Sequence, residues 1–167
     1  MAIIIKEATP EDAEKILKYT TIIGGETDHL SFGAEGMNLS VESERIFLQN
    51  NQNDKHSVFY CVWKESELIG TASLSGMPKR MSHRAEVSVS LLKKEWNKGI
   101  GSKLLNKTIE YAKCNGIEII QLEVRSDNDA AIHLYRKFGF QKTGSIPAYF
   151  KIGKEYFDFD IMSLDLR

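Results

Sequence analysis

The chain has 167 residues, of which 42% are hydrophobic and 27% are charged, and its net charge is −1. These values are typical of one globular domain over residues 1–167, and the balanced charge gives no case for a nucleic acid or a membrane surface as partner. No apolar run reaches the length of a membrane-spanning helix, and the first residues lack the apolar core of a signal peptide, so we expect a cytoplasmic protein.

The first forty residues predict a strand, a helix and an irregular acidic segment. Ile3 to Ile5 form a short apolar run, and Thr9 followed by Pro10 is typical of a helix start. Beyond Tyr19 the apolar periodicity weakens, and we expect the glycine pair at 24–25 to interrupt any regular element.

The segment 19–44 contains acidic residues and no Lys or Arg. One interpretation is that Glu26 and Asp28 bind a cationic substrate at the entrance to a site. The alternative is a solvated face, in which Glu42 and Glu44 occupy the first turn of a helix capped by Ser40.

The middle of the chain predicts a hairpin and then a central strand. The β-rich runs 58–63 and 68–75 are separated by a short polar turn. After a polar connection, the sequence from Glu86 to Leu91 alternates apolar residues with Ser88 and Ser90, so one face of this strand is apolar and the other is polar.

A glycine-bearing turn follows the central strand and leads into a helix. The first N–H groups of a helix have no partner within it, and its dipole places partial positive charge there, so an anion is stabilised. Gly99 and Gly101 let an anion approach the backbone, and Lys98 adds charge. The segment 96–102 therefore suggests a phosphate cradle, although the same glycines would also serve a plain tight turn.

The last third predicts a strand over 117–124, a short helix and two more strands. Asp127 or Asn128 caps the helix, which carries Tyr135 on its apolar face and ends at Gly139. The two final strands are expected near 141–144 and 156–164, with Gly153 near their turn. The complete order predicts an α+β fold with a mixed sheet covered by helices.

The order of elements and two motifs resemble the GNAT acyltransferase superfamily, whose members transfer an acetyl group from acetyl-CoA to an amine. The motifs are WNKGIG at 96–101 and NDAAIHLYRKFGF at 128–140. The resemblance covers nearly the whole chain and implies an α/β/α layered fold, with a mostly antiparallel sheet of about six to seven strands and about four helices. Family loops commonly begin with Gln or Arg followed by Gly. Trp96 and Asn97 occupy those places here, and Asn tolerates left-handed backbone angles.

The resemblance also implies residue roles. Tyr135 would donate a proton to the departing thiolate, Asn128 would hydrogen-bond the cofactor near the thioester, and Leu91 and Leu92 would offer main-chain groups to the pantetheine arm. The CoA pyrophosphate would be held by the backbone amides of Trp96, Asn97, Lys98, Gly99, Ile100, Gly101 and Ser102.

The chemistry of amine acetylation requires a base, because an amine protonated at pH 7 has no free lone pair. Glu86 is the candidate, acting directly or through water; the alternative is an ion pair with Arg84 or Lys79. For Glu123 on the next strand we expect an ion pair. Tyr135 has the alternative of simple core packing.

Cys61 and Cys114 are far apart and show no CxxC or Cys/His spacing, so we expect reduced thiols, and we expect no metal. Neither cysteine lies near the cradle in the sequence, so we expect direct transfer in a ternary complex to a primary amine of a small molecule or a protein. A non-catalytic CoA-sensing or protein-binding module on the same fold is the alternative function. The late aromatic residues suggest either a homodimer contact or core: Tyr149, Phe150, Tyr156, Phe157 and Phe159.

Overall fold

The computed structural model describes residues 2–167, and its strands form one seven-stranded sheet. The strands are β1 (Ile3–Glu7), β2 (Val58–Lys64), β3 (Glu67–Gly76), β4 (Arg84–Leu91), β5 (Ile119–Arg125), β6 (Gln141–Ile152) and β7 (Glu155–Asp165). Their order is β1-β2-β3-β4-β5-β7-β6, and every neighbouring pair is antiparallel except β4 with β5. The predicted mixed, mostly antiparallel sheet is confirmed.

Four α-helices cover the sheet: α1 (Ala13–Glu26), α2 (Val41–Gln52), α3 (Ile100–Cys114) and α4 (Asp129–Lys137). The Tyr19 hydroxyl of α1 lies 2.9 Å from the Ser90 hydroxyl, whereas Gly101 of α3 packs against Leu91. Successive strand residues point to opposite faces, so α1 and α3 lie on opposite sides of β4. This confirms the layered arrangement. No helix within residues 2–167 is long and apolar enough to cross a membrane.

The single parallel pair is short, and this opens the middle of the sheet. β4 pairs with β5 only over Arg84–Glu86 and Ile119–Gln121, although both strands continue well beyond these residues. The backbone of β4 bonds to β3 at alternate residues, as the Leu92 N–H does to the Ile69 carbonyl at 2.9 Å. The peptide groups of Val89 and Leu91 therefore face the gap between the separating strands.

Helix α1 continues through Gly24 and Gly25, so the predicted interruption at these residues is wrong. A side chain at Gly24 would overlap the carbonyl oxygen of Gly33, which lies in the segment after the helix. Gly24 is therefore required for close packing of backbone on backbone, a contact that helix propensity does not register.

The last two strands are longer than predicted, and Gly153, with φ of +61°, forms their turn as expected. The pairing of β6 with β7 shifts register between Ile146 and Phe150. Pro147 lies in this bulge, where its missing N–H breaks no ladder bond, so the strand continues past a residue that would otherwise end it.

Substituting the two glycines of α1 should have opposite effects on stability. Gly24→Ala should lower the free energy of unfolding by about 1–3 kcal/mol, because the backbone of residue 33 must move. A Cβ at Gly25 would make an ordinary 3.5 Å contact with Ala34, so Gly25→Ala should be neutral or stabilising by up to about 1 kcal/mol. Urea denaturation of both variants tests this, and equal effects would contradict it.

Candidate active site

Two clefts meet at the point where β4 and β5 separate. The cradle cleft, of about 550 Å³, lies between the glycine turn, the end of β4 and the start of α4. The sheet cleft, of about 600 Å³, lies over the polar face of β3 and β4 beneath α1 and α2. Ser90, Asn128 and Tyr135 line both clefts, so the two open into each other beside these side chains.

The cradle cleft presents a run of unpaired backbone donors. The N–H groups of residues 97–102 have no acceptor within residues 2–167, and no side chain caps α3. Gly99 has φ of +79°, and a Cβ there would meet no atom within 4 Å, so the space above the turn is open. Such an array at a helix N-terminus fits a diphosphate.

The other cradle residues divide between those that face the cleft and those that shape the loop. Asn97 adopts the left-handed backbone expected of it, with φ of +61°. The Trp96 indole lines the cleft and donates to the Leu91 carbonyl at 3.0 Å. The Lys98 ammonium does not line the cleft; it lies 3.1 Å from the buried Glu95 carboxylate. This position does not support the expectation that its side chain adds charge to the cradle.

The open edge of β4 gives only part of the main-chain array expected for the pantetheine arm. Leu91 lines the cradle cleft, but its carbonyl already accepts the Trp96 indole N–H, which leaves its own N–H. Leu92 is buried, and its N–H donates to Ile69. The position of Leu92 does not support a role in binding the cofactor, whereas Val89 lines the cleft and faces the gap.

Asn128 and Tyr135 stand at the junction of the clefts. Asn128 caps α4, because its side-chain oxygen accepts the Ala131 N–H at 3.3 Å, and its amide NH₂ stays free to donate. Tyr135 is buried, yet its hydroxyl has no hydrogen-bond partner among the described residues. Burial raises the pKa of Tyr135 to about 12, so the hydroxyl keeps its proton at neutral pH.

Glu86 and Glu123 line the sheet cleft together. Neither forms an ion pair in the part of the chain that the structure describes, so the ion pair expected for Glu123 is absent. Arg84, the alternative partner for Glu86, instead bonds Gln121 at 2.9 Å. Desolvation in the cleft raises the pKa of Glu86 above its usual value, and the charge of Glu123 raises it further.

Glu26 and Asp28 lie outside both clefts. The Glu26 carboxylate accepts the backbone N–H of Lys93 at 2.8 Å and so joins the end of α1 to the loop before the cradle. Asp28 lies 3.1 Å from the guanidinium of Arg125. Both carboxylates hold loops, because tertiary packing supplied donors that the sequence did not reveal, and their positions do not support contact with an acceptor.

The sheet cleft contains polar residues that the sequence analysis did not assign to a site. Tyr19, Ser90 and Thr71 form a chain of hydroxyls, with O–O distances of 2.9 and 3.0 Å. Glu44 enters the cleft from α2, whereas the sequence predicts only that it occupies the first helical turn. The available signal was the spacing of Glu44 and Leu48, which places the acid on the inward face of the helix.

Some of the late aromatic residues lie in the wall of the sheet cleft, a position that the sequence analysis did not predict. Tyr149, Phe150 and Phe159 line the sheet cleft and pack against one another with ring centroids 4.4–5.7 Å apart. Tyr156 is exposed. Some of these rings therefore form a wall of the cleft, and the predicted homodimer stays a prediction.

The comparisons with known proteins agree on one family. The model of the Acetyltransferase (GNAT) family matches residues 28–140. YoaA of Bacillus subtilis (strain 168), described as an uncharacterized N-acetyltransferase, is 26% identical over 97% of this chain and 92% of its own length.

Solved structures show the same fold. A GNAT-family acetyltransferase from Streptococcus pneumoniae superposes with a TM-score of 0.94 at 30% identity, covering 98% of this chain and 99% of that one. The structure of yncA from Salmonella typhimurium, a putative acetyltransferase with its cofactor acetyl-CoA, has a TM-score of 0.86 at 20% identity, covering 100% of this chain and 95% of that one. The family match and these likenesses establish that the chain belongs to the GNAT family of N-acetyltransferases.

Proposed function

We propose that this enzyme transfers an acetyl group from acetyl-CoA directly to a primary amine that binds in the sheet cleft, within a ternary complex. The observation that carries the proposal is the position of Tyr135, whose unpartnered hydroxyl stands where the two clefts join. Acetyl-CoA supplies the acetyl group as a reactive thioester. The protein supplies binding, orientation and proton transfer.

The cradle residues hold the cofactor. The free N–H groups from Asn97 to Ser102 bind the diphosphate through hydrogen bonds and the dipole of α3. The Leu91 N–H and the Val89 peptide groups on the open edge of β4 bind the extended arm, as an added strand would be bound. The amide NH₂ of Asn128 orients the end of the cofactor that reaches the junction.

Glu86 accepts the proton that the amine must lose, directly or through water. A carboxylate with an ordinary pKa is a weak base at neutral pH, and proton transfer improves as the pKa of the base approaches the working pH. The raised pKa of Glu86, caused by desolvation and by Glu123, moves in that direction. Because Glu86 has no ion-pair partner, its carboxylate is available for this task.

Tyr135 donates the proton that the departing thiolate needs. Its pKa of about 12 keeps the hydroxyl protonated, and the lack of a protein acceptor leaves its proton free for the reaction. Neither cysteine lines a cleft: Cys61 is buried on β2 and Cys114 is exposed at the end of α3. Transfer through an acyl-cysteine is thereby disfavoured, and so is a purely CoA-sensing role, which would need neither Glu86 nor Tyr135.

Removing the Tyr135 hydroxyl should impair turnover and spare cofactor binding. In Tyr135→Phe, kcat should fall about a hundred-fold or more, with little change in the KM for acetyl-CoA. Thiol release with a panel of amines measures both constants. Tyr156→Phe removes an exposed hydroxyl outside the clefts and should behave as the unmodified enzyme. Full turnover of Tyr135→Phe across the pH range would exclude the acid role.

The acid limb of the pH profile should respond to both cleft carboxylates. Activity requires deprotonated Glu86, so kcat/KM should rise with pH through the pKa of Glu86. Glu123→Gln removes a charge that raises this pKa, so the limb should shift to lower pH, whereas Glu86→Gln should reduce kcat/KM and abolish the limb. An identical limb in all three proteins would remove Glu86 from the mechanism.

A further inference from the structure

The sheet cleft ends, on the side of α2, in a carboxylate that nothing in the proposed reaction uses. Glu44 is 5% exposed, lines the cleft, and has no hydrogen-bond or ion-pair partner for its side chain within residues 2–167. It occupies the inward face of α2 together with the fully buried Leu48. Burial raises the pKa of Glu44 and disfavours its charged form.

An unpaired buried carboxylate costs stability unless a ligand supplies a partner. The other acids of α2 and the loop before it are exposed, as Glu42 is beside Arg45 at 3.8 Å. Glu44 therefore differs from its neighbours in being withdrawn from water and directed into the cleft. This is the behaviour expected of a residue that recognises a hydrogen-bond donor on a bound molecule.

The charge of the cleft indicates that this donor is a cation. Glu44, Glu86 and Glu123 all line it. Among its described lining residues, Arg125 carries the only permanent positive charge, and that charge is held by Asp28 at 3.1 Å and Asp127 at 2.7 Å. The cleft thus carries net negative charge, which favours an acceptor with more than one amino group.

The strand register gives the width of the cleft floor. Phe59 of β2 pairs with Ser73 of β3, which pairs with Ser88 of β4, so Phe59 and Ser88 are two strand spacings, or about 10 Å, apart. Glu44 belongs to α2, which packs on β2 through Phe47 and Phe59.

The surface of the sheet cleft between α2 and β4 suits an aliphatic chain. Phe47 and Phe59 pack edge to face with centroids 6.2 Å apart, and the segment after α1 adds apolar side chains above them. Methylene groups gain free energy by leaving water for such walls.

We propose that Glu44 binds a second, protonated amino group of the acceptor, so that the preferred acceptors are aliphatic diamines. This inference rests on the proposed function, because it places the reacting amine at the junction beside Tyr135. The second amine then forms a charge-assisted hydrogen bond with Glu44 at the far end of the sheet cleft.

Calorimetric titration with hexamethylenediamine and hexylamine tests the proposal without turnover, because the two probes differ only in the second amine. The protein is titrated alone and with CoA, which has no acetyl group to donate. The diamine should bind about ten-fold more tightly than the monoamine. Glu44→Gln should abolish this advantage. Glu42→Gln, with the same charge change on the exposed face of α2, should retain it.

An equal affinity for the two probes, or a diamine advantage that survives in Glu44→Gln, would overturn the proposal. The melting temperature of Glu44→Gln should be unchanged or higher, because the substitution removes an uncompensated charge. Thiol release with both amines distinguishes a failure of the proposed function from a failure of the Glu44 site. A diamine preference in binding without thiol release supports the Glu44 site and contradicts the proposed function. Equal release with both amines, in the unmodified protein and in Glu44→Gln, contradicts the Glu44 site alone.

Discussion

The separation of β4 from β5 is the constraint on which the rest of the structure depends. A parallel pair that continued to the ends of both strands would bond the Val89 and Leu91 peptide groups and close the sheet. Pairing stops after Glu86, so the peptide groups beyond it face an open gap. The cradle at the start of α3 and the junction at Tyr135 are both reached through this gap. The sheet is therefore continuous across β4 and β5 up to Glu86 and open beyond it.

The two glycines of the cradle are under different physical constraints. Gly99 is required for its backbone angle, since φ of +79° is costly for a residue with a Cβ, while the space around it is open. At Gly101 a Cβ would make only ordinary contacts, 3.4 Å from Leu134 of α4 and 3.6 Å from Leu91 of β4. The backbone angle of Gly99 therefore shapes the cradle, whereas Gly101 contributes its free N–H.

The distribution of ion pairs distinguishes structural acids from those available for chemistry. The buried Glu95 carries two lysine partners, Lys64 at 3.2 Å and Lys98 at 3.1 Å, and its pKa is lowered, first by the hydrogen bond from Lys98. Glu86 and Glu44, by contrast, lack basic partners, and desolvation raises the pKa of each. In a chain with nearly balanced charge, acids left without partners in a cleft stand out as candidates for catalysis and recognition.

The sequence by itself determined the features that depend on local chemistry. The alternation of apolar and polar residues predicted the central strand, and glycines before a helix start predicted the cradle. The motifs around Trp96 and Tyr135 identified the family. The length of β6 and the continuation of α1 through Gly24 could not be predicted from the sequence, because each depends on a neighbour that is distant in sequence. Only the tertiary structure decided which carboxylates face the sheet cleft. Glu26 and Asp28 found donors in other loops, whereas Glu44 and Glu123 were left facing the cleft, because the partner of a charge is set by packing between elements.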